Sequence, residues 1–137
     1  LVNKIMTLGT KFDWSSESAA TEVKMLNPSV MQEKVPQFTE ALHRRHDPID
    51  WKEVVNKTAD MMRRLGSGEA MDIADINIPH EVVISVGDLD RVVKFGEALD
   101  AVKKLPNGKF LPLPGAGHPL EQVDTEMLAG KIREFFG

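Results

Sequence analysis

From residue 78 to the end of the chain, strand-like and helix-like patterns alternate, and this order restricts the possible folds more than any other feature. Ile78-Pro79 leads into Glu81 to Val86, where Val82-Val83-Ile84 form an apolar run with no alternation, as expected of a strand covered on both faces. Val93, Ala98, Leu99 and Val102 then recur at helical spacing to about Lys104, and Leu105-Pro106-Asn107-Gly108 closes that helix. A short strand follows from Lys109 to Leu113, with Pro112 marking it as a sheet edge because proline cannot donate to a ladder. Asp124 caps a last helix that should turn Leu128, Ile132, Phe135 and Phe136 inward. Strand, helix, strand, helix implies right-handed crossovers and a parallel sheet with helices on its faces. The expected fold class is α/β.

The first half has a different character. Lys4 to Leu8 reads as a buried strand, and the chain then becomes helical from about Trp14 to Gly68. Ser15 and Ser16 offer caps for a helix through Ala19, Ala20, Val23 and Leu26. Asn27-Pro28 restarts a short turn, and Pro36 opens a helix with Phe38, Ala41 and Leu42 on one face. Asp50-Trp51-Lys52-Glu53 has the form of a capping box. It starts an amphipathic helix along Trp51, Val54, Val55, Thr58, Met62 and Leu65, which ends at a Gly66-Ser67-Gly68 hinge. A helical stretch of this length between two strands is too long for a simple crossover, so residues 14–68 are expected to be a lid-like insertion on the sheet.

Composition narrows the function classes. The chain has 137 residues, of which 42% are hydrophobic and 28% charged, which suits one soluble globular domain. No stretch approaches the roughly 18 consecutive apolar residues of a membrane span. With 17 Lys and Arg against 21 Asp and Glu the net charge is −4, and the densest basic clusters are the pairs Arg44-Arg45 and Arg63-Arg64, so nucleic acid is not an expected partner. The absence of cysteine excludes disulfides, thiol catalysis and cysteine-ligated metals, and suits a reducing cytoplasm. His43 and His46 stand at helical i, i+3 spacing near Asp47 and Asp50, a surface pattern that reads as a solvated helix end rather than a metal site. Gly115 and Gly117 lack the third glycine of a dinucleotide fingerprint, and no cofactor is implied.

In an open parallel sheet, reactive groups gather in loops just past the carboxyl ends of strands. Two such loops carry Asp90 and His118, 28 residues apart, a spacing that one helix and one strand account for. The loops should therefore be neighbours, within reach of an Asp–His hydrogen bond that would orient a general base. Asp88 competes with Asp90 for the acidic role, its alternative being a turn residue that bonds its own backbone. A loop histidine can also serve structural hydrogen bonds alone. His80 reads as a residue at the start of its strand, without a catalytic role. Trp14 and Met62 are the candidate substrate-contact residues, and Met25, Met31, Met61, Met62 and Met71 could line an apolar pocket in the insertion.

Ile78-Pro79, Val82 to Val86, Gly87-Asp88-Leu89-Asp90-Arg91-Val92-Val93 and Pro114-Gly115-Ala116-Gly117-His118 together resemble the α/β-hydrolase superfamily, over the C-terminal half of its fold. The resemblance implies a partial parallel sheet of about three strands with a helical lid over 14–68, Asp90 as the triad acid and His118 as its histidine. It also implies a small-molecule substrate, a carboxylic ester first, although the family cleaves epoxides, haloalkanes and C–C bonds as well. None of the six serines (15, 16, 18, 29, 67 and 85) stands in a Gly-x-Ser-x-Gly elbow. The nucleophile and the oxyanion-hole strand are therefore expected upstream, and the chain, which opens with Leu1 in what reads as mid-domain, is expected to be inactive alone. The alternative is a non-catalytic interaction module on a hydrolase-derived scaffold. In either case the edge of the first strand, apolar on both faces, should draw the chain into a homo-oligomer.

Overall fold

The computed structural model describes residues 2–75 and 78–137, so the expectation attached to Leu1 lies outside the described residues. The chain forms two compact units, residues 1–13 with 71–137, and residues 14–70.

The first unit is built on a parallel three-stranded sheet in the order β1 (Lys4–Leu8), β2 (Glu81–Gly87), β3 (Gly108–Leu113). The two edges of the sheet are thus β1 and β3, and Pro112 sits on an edge strand as the sequence predicts. β2 is central and its last six residues are buried, which accounts for its unbroken apolar composition. Val82, Ile84 and Val86 face one side, where they meet Val93, Ala98, Ala101 and Leu105 around the helix α5 (Phe95–Lys103). Phe95 and Phe110 add an edge-to-face ring pair with centroids 5.1 Å apart. On the other side Leu111 and Leu113 pack with Ala116, Val123, Met127 and Leu128 of the terminal helix and the loop before it. Full burial of each large apolar side chain in these clusters contributes about 1.5–3 kcal/mol.

Val93 precedes α5 instead of belonging to it, yet it is fully buried, whereas Leu99 on the helix is 40% exposed. The terminal helix (Thr125–Phe136) is capped by Asp124, whose side chain accepts from Met127 N–H at 2.7 Å. Its sequence-predicted inner face is only partly realised. Met127, Leu128 and Phe135 are half-buried, but Ile132 and Phe136 remain exposed, because the three-stranded sheet offers this helix a narrow surface.

The second unit contains four helices, α1 (Ser16–Val23), α2 (Pro28–Lys34), α3 (Pro36–His46) and α4 (Trp51–Arg64). Ser15 caps α1 in a reciprocal box with Ser18, and Asn27 caps α2 through Ser29 and Val30 N–H. Helix α1 stops at Val23, so Leu26 lies beyond it and packs instead with Met31, Trp51, Val55 and Leu42. On α4 the buried stripe is Trp51, Val55 and Ala59, each four residues apart. Asp50 caps α4 by accepting from Lys52 N–H, while Glu53 reaches forward to Lys57 at 2.6 Å, so the cap forms without the expected reciprocal box. On α3 the buried residue is Thr39, and Phe38 is half exposed, correcting the predicted face. In place of a plain hinge, Leu65–Glu69 makes a wide helical turn in which Gly66 packs directly on Ala19 and the Ser15 carbonyl.

Glu97 on α5 ties down the segment that leaves β1. One of its carboxylate oxygens accepts from Phe12 and Asp13 N–H at 2.8 and 2.9 Å, and the other meets Lys11 Nζ at 3.1 Å. Both charged side chains are largely buried, at 13% and 9% exposure, so removing the carboxylate takes away an ion pair and the acceptor of two backbone donors. Glu97→Ala is expected to lower stability by about 3 kcal/mol, read from chemical denaturation, with Glu97→Gln losing less.

Candidate functional site

At the carboxyl end of the sheet the chain leaves β2 at Gly87 and turns tightly, with Asp90 N–H donating to the Gly87 carbonyl at 3.1 Å. The turn swings the Asp90 side chain inward, where it is 1% exposed. Its Oδ1 accepts from Val92 and Val93 N–H at 2.8 and 2.9 Å, a local Asx arrangement that fixes the carboxylate plane. Oδ2 is left to face His118, whose Nδ1 lies 3.0 Å away. An ionised carboxylate can only accept, so the pairing calls for a hydrogen on Nδ1, and in the neutral imidazole that tautomer leaves the lone pair on Nε2. The imidazole is 38% exposed, so one ring nitrogen is anchored while the ring remains accessible. The sequence-predicted residues Asp90 and His118 are thus brought together.

His118 arrives on the loop after β3. That loop and the loop after β2 are in direct backbone contact: Asp88 N–H donates to the Leu113 carbonyl at 3.1 Å and Leu89 N–H to the Ala116 carbonyl at 3.0 Å. Gly87 is what allows the approach, since a Cβ there would lie 2.1 Å from the Ala116 oxygen. Asp88 does not bond its own backbone. Its Oδ1 accepts from Gly115 N–H, across the loops, at 2.7 Å. From β1, Gly9 continues the ladder by donating to the Ser85 carbonyl at 2.9 Å, and a Cβ on Gly9 would sit 3.4 Å from Asp90 Oδ2 and 3.5 Å from His118 Nδ1. Asp88 was legible as a rival to Asp90, but its bond across the loops was not, nor was the place of Gly9 beside the pair. One is an ordinary loop carboxylate and the other a strand-end glycine until pairing in space is known.

A cleft of about 690 Å³ opens beside the pair, lined by Asp88, Leu89, Asp90, Arg91, Val92, His118, Pro119 and Gln122. Ser85 is the sheet unit's only serine, and it is fully buried with its hydroxyl donating to the Thr7 carbonyl. Trp14 and Met62 belong to the helical unit, where both are half-buried. The methionines do not gather into one lining: Met31 is in the helical core, whereas Met25, Met61 and Met71 are each at least half exposed, and Met71 falls in the sheet unit. His80 lies just before β2 with its Nδ1 buried and unpartnered among the described residues. No group of three or more metal-ligating side chains is present among the described residues, His43 and His46 included.

Several solved structures have a similar fold. The chain is similar to NosK from Streptomyces actuosus, with a TM-score of 0.78 and 17% identity over 99% of this chain and 58% of that one. It is also similar to a thermophilic esterase from Thermogutta terrifontis, with a TM-score of 0.58 and 20% identity over 96% of this chain and 54% of the esterase. A hydrolase from Pseudomonas aeruginosa PA01 matches with a TM-score of 0.58 and 16% identity, over 98% of this chain and 56% of the hydrolase. The fold is that of the α/β-hydrolases. The chain spans a little over half the length of these structures. No protein-family profile and no curated protein matches the chain by sequence. No helix among the described residues is long and apolar enough to cross a membrane.

The Asp90 carboxylate satisfies two backbone donors as well as His118. Asp90→Ala is therefore expected to cost about 2–3 kcal/mol in chemical denaturation, and Asp90→Asn less, since its carbonyl can still accept from Val92 and Val93.

Proposed function

We propose that this chain is the C-terminal part of an α/β-hydrolase that cleaves carboxylic esters, with Asp90 as the acid and His118 as the general base of a triad. The observation that carries the reading is the 3.0 Å contact from a fully buried carboxylate to the Nδ1 of an accessible imidazole, at the carboxyl end of a parallel sheet. In this role Asp90 holds the imidazole in one tautomer and steadies the positive charge it gains, while Nε2 takes the proton from a nucleophile and returns it to the leaving alcohol.

The nucleophile of this reading is a serine upstream of Leu1. Support comes from the absence of a Gly-x-Ser-x-Gly elbow, from the burial of Ser85, and from the 54–58% span of the similar structures. The chain alone is then inactive toward esters, lacking both the attacking oxygen and the backbone donors for its oxyanion. Residues 14–68 form the lid, with Trp14 and Met62 as its substrate-contact residues, and the substrate is a small ester that needs no cofactor. The esterase among the similar structures supports ester cleavage in this reading.

In the complete protein, His118→Ala should reduce ester turnover by a factor of about 10³ or more, measured as kcat/KM on a chromogenic short-chain ester. Wild-type turnover in that variant would overturn the assignment.

The same scaffold without a nucleophile would be an interaction module, and the edge strand bears on this second reading. β1 has a strand partner on one side only among the described residues. Self-association of this chain by pairing of β1 strands across a two-fold follows, and light scattering at micromolar concentration should return a dimer mass. A monodisperse monomer would remove that reading.

A further inference from the structure

The contact between Asp90 and His118 joins two loops, and neither loop is held at its tip by regular secondary structure. Three hydrogen bonds bind them instead. Two are backbone pairs, Asp88 N–H to the Leu113 carbonyl and Leu89 N–H to the Ala116 carbonyl, and they lie where the strands run out. The third is the 2.7 Å bond from Gly115 N–H to Asp88 Oδ1, the one side-chain link among the three. It grips the histidine loop three residues before His118. Gly115 has φ +70, a left-handed backbone conformation that a side chain would disfavour. On the far side, Gly87 lies so close to Ala116 that no Cβ could be inserted, so the two loops have no room to slide inward.

We infer that Asp88 is a positioning residue for the Asp90–His118 pair: its carboxylate clamps the Gly115 amide and so sets the histidine loop at the distance where Nδ1 meets Asp90. The inference rests on the functional reading of that pair and adds a residue that touches neither the imidazole nor any reacting atom. Asp88 and Asp90 divide the work of one short turn. Asp90 orients the ring, and Asp88 orients the loop that carries it. A charge-assisted bond to a single backbone donor suits this purpose, because it is directional and stronger than the neutral bonds beside it. What the clamp requires of position 88 is an acceptor of the right reach, and asparagine supplies one through its amide oxygen.

The test uses the whole chain labelled with ¹⁵N on histidine and on the backbone. Ring nitrogen shifts, detected through the carbon-bound hydrogens at alkaline pH, report which nitrogen of His118 carries the hydrogen, and amide exchange reports the bond at Gly115. The wild type should show the Nδ1–H tautomer at His118 and a protected Gly115 amide. In Asp88→Ala the Gly115 amide should exchange about tenfold faster or more, and the share of Nδ1–H tautomer should fall about twofold as the ring is released. Asp88→Asn should restore both. Should Asp88→Ala fail to fold, Asp88→Ser, whose hydroxyl is one atom too short for the reach, takes its place with the same expectations. Wild-type tautomer and exchange in the short variant would overturn the clamp. Faster exchange with an unchanged tautomer would reduce Asp88 to a purely structural role and overturn the inference. An asparagine variant that behaves like alanine would refute the acceptor argument. A protected Gly115 in a wild type that lacks the Nδ1–H tautomer would instead strike the functional reading of the Asp90–His118 pair, and the positioning role with it, while leaving the Asp88–Gly115 bond in place.

Discussion

Burial of β2 on both faces is the constraint from which the sheet unit follows. A strand with no solvent-facing side must be flanked by neighbours and covered above and below, and the unit supplies β1, β3, α5 and the terminal helix for that purpose. Once β2 is central, its carboxyl end lies between those of its neighbours, and the loops leaving β2 and β3 emerge side by side. The candidate site therefore arises from the way the core is closed, not from a separate structural device.

The second consequence concerns how a buried carboxylate is tolerated. Asp90 is nearly inaccessible to water, a costly place for a charge. Its oxygens accept from two backbone amides and one imidazole, so the desolvation is offset by directed bonds rather than by a counter-ion. The backbone donors come from Val92 and Val93, and Val93 is itself locked into the core beside α5. Packing of an aliphatic side chain and orientation of the Asp90–His118 pair are thus coupled within the four residues 90–93.

The strand ends, the helix caps at Ser15, Asn27, Asp50 and Asp124, and the Asp90–His118 proximity were legible because each depends on local chemistry or on strand order. Local pattern misleads where tertiary packing decides. Phe38, Ile132 and Phe136 carry the right periodicity for burial yet stay exposed, while Thr39 and Ala59 are buried because small side chains let helices approach closely. The roles of Asp88 and of Gly87 were hidden for a different reason. Both depend on what stands opposite them, and a partner 27 residues away leaves no trace in local sequence. Glu97 is the same kind of case, an acidic residue in the first turn of a helix whose partners lie more than 80 positions earlier.

The Glu97 clamp also bears on how the chain leaves the sheet unit. By fixing Lys11, Phe12 and Asp13 to α5, it closes the sheet unit's own bonding just before the helical residues begin. The chain beyond Asp13 thus begins from residues already bonded to α5. A segment joined at this point therefore starts from an end that one carboxylate on α5 already anchors, so the exit from β1 has its direction set from within the sheet unit.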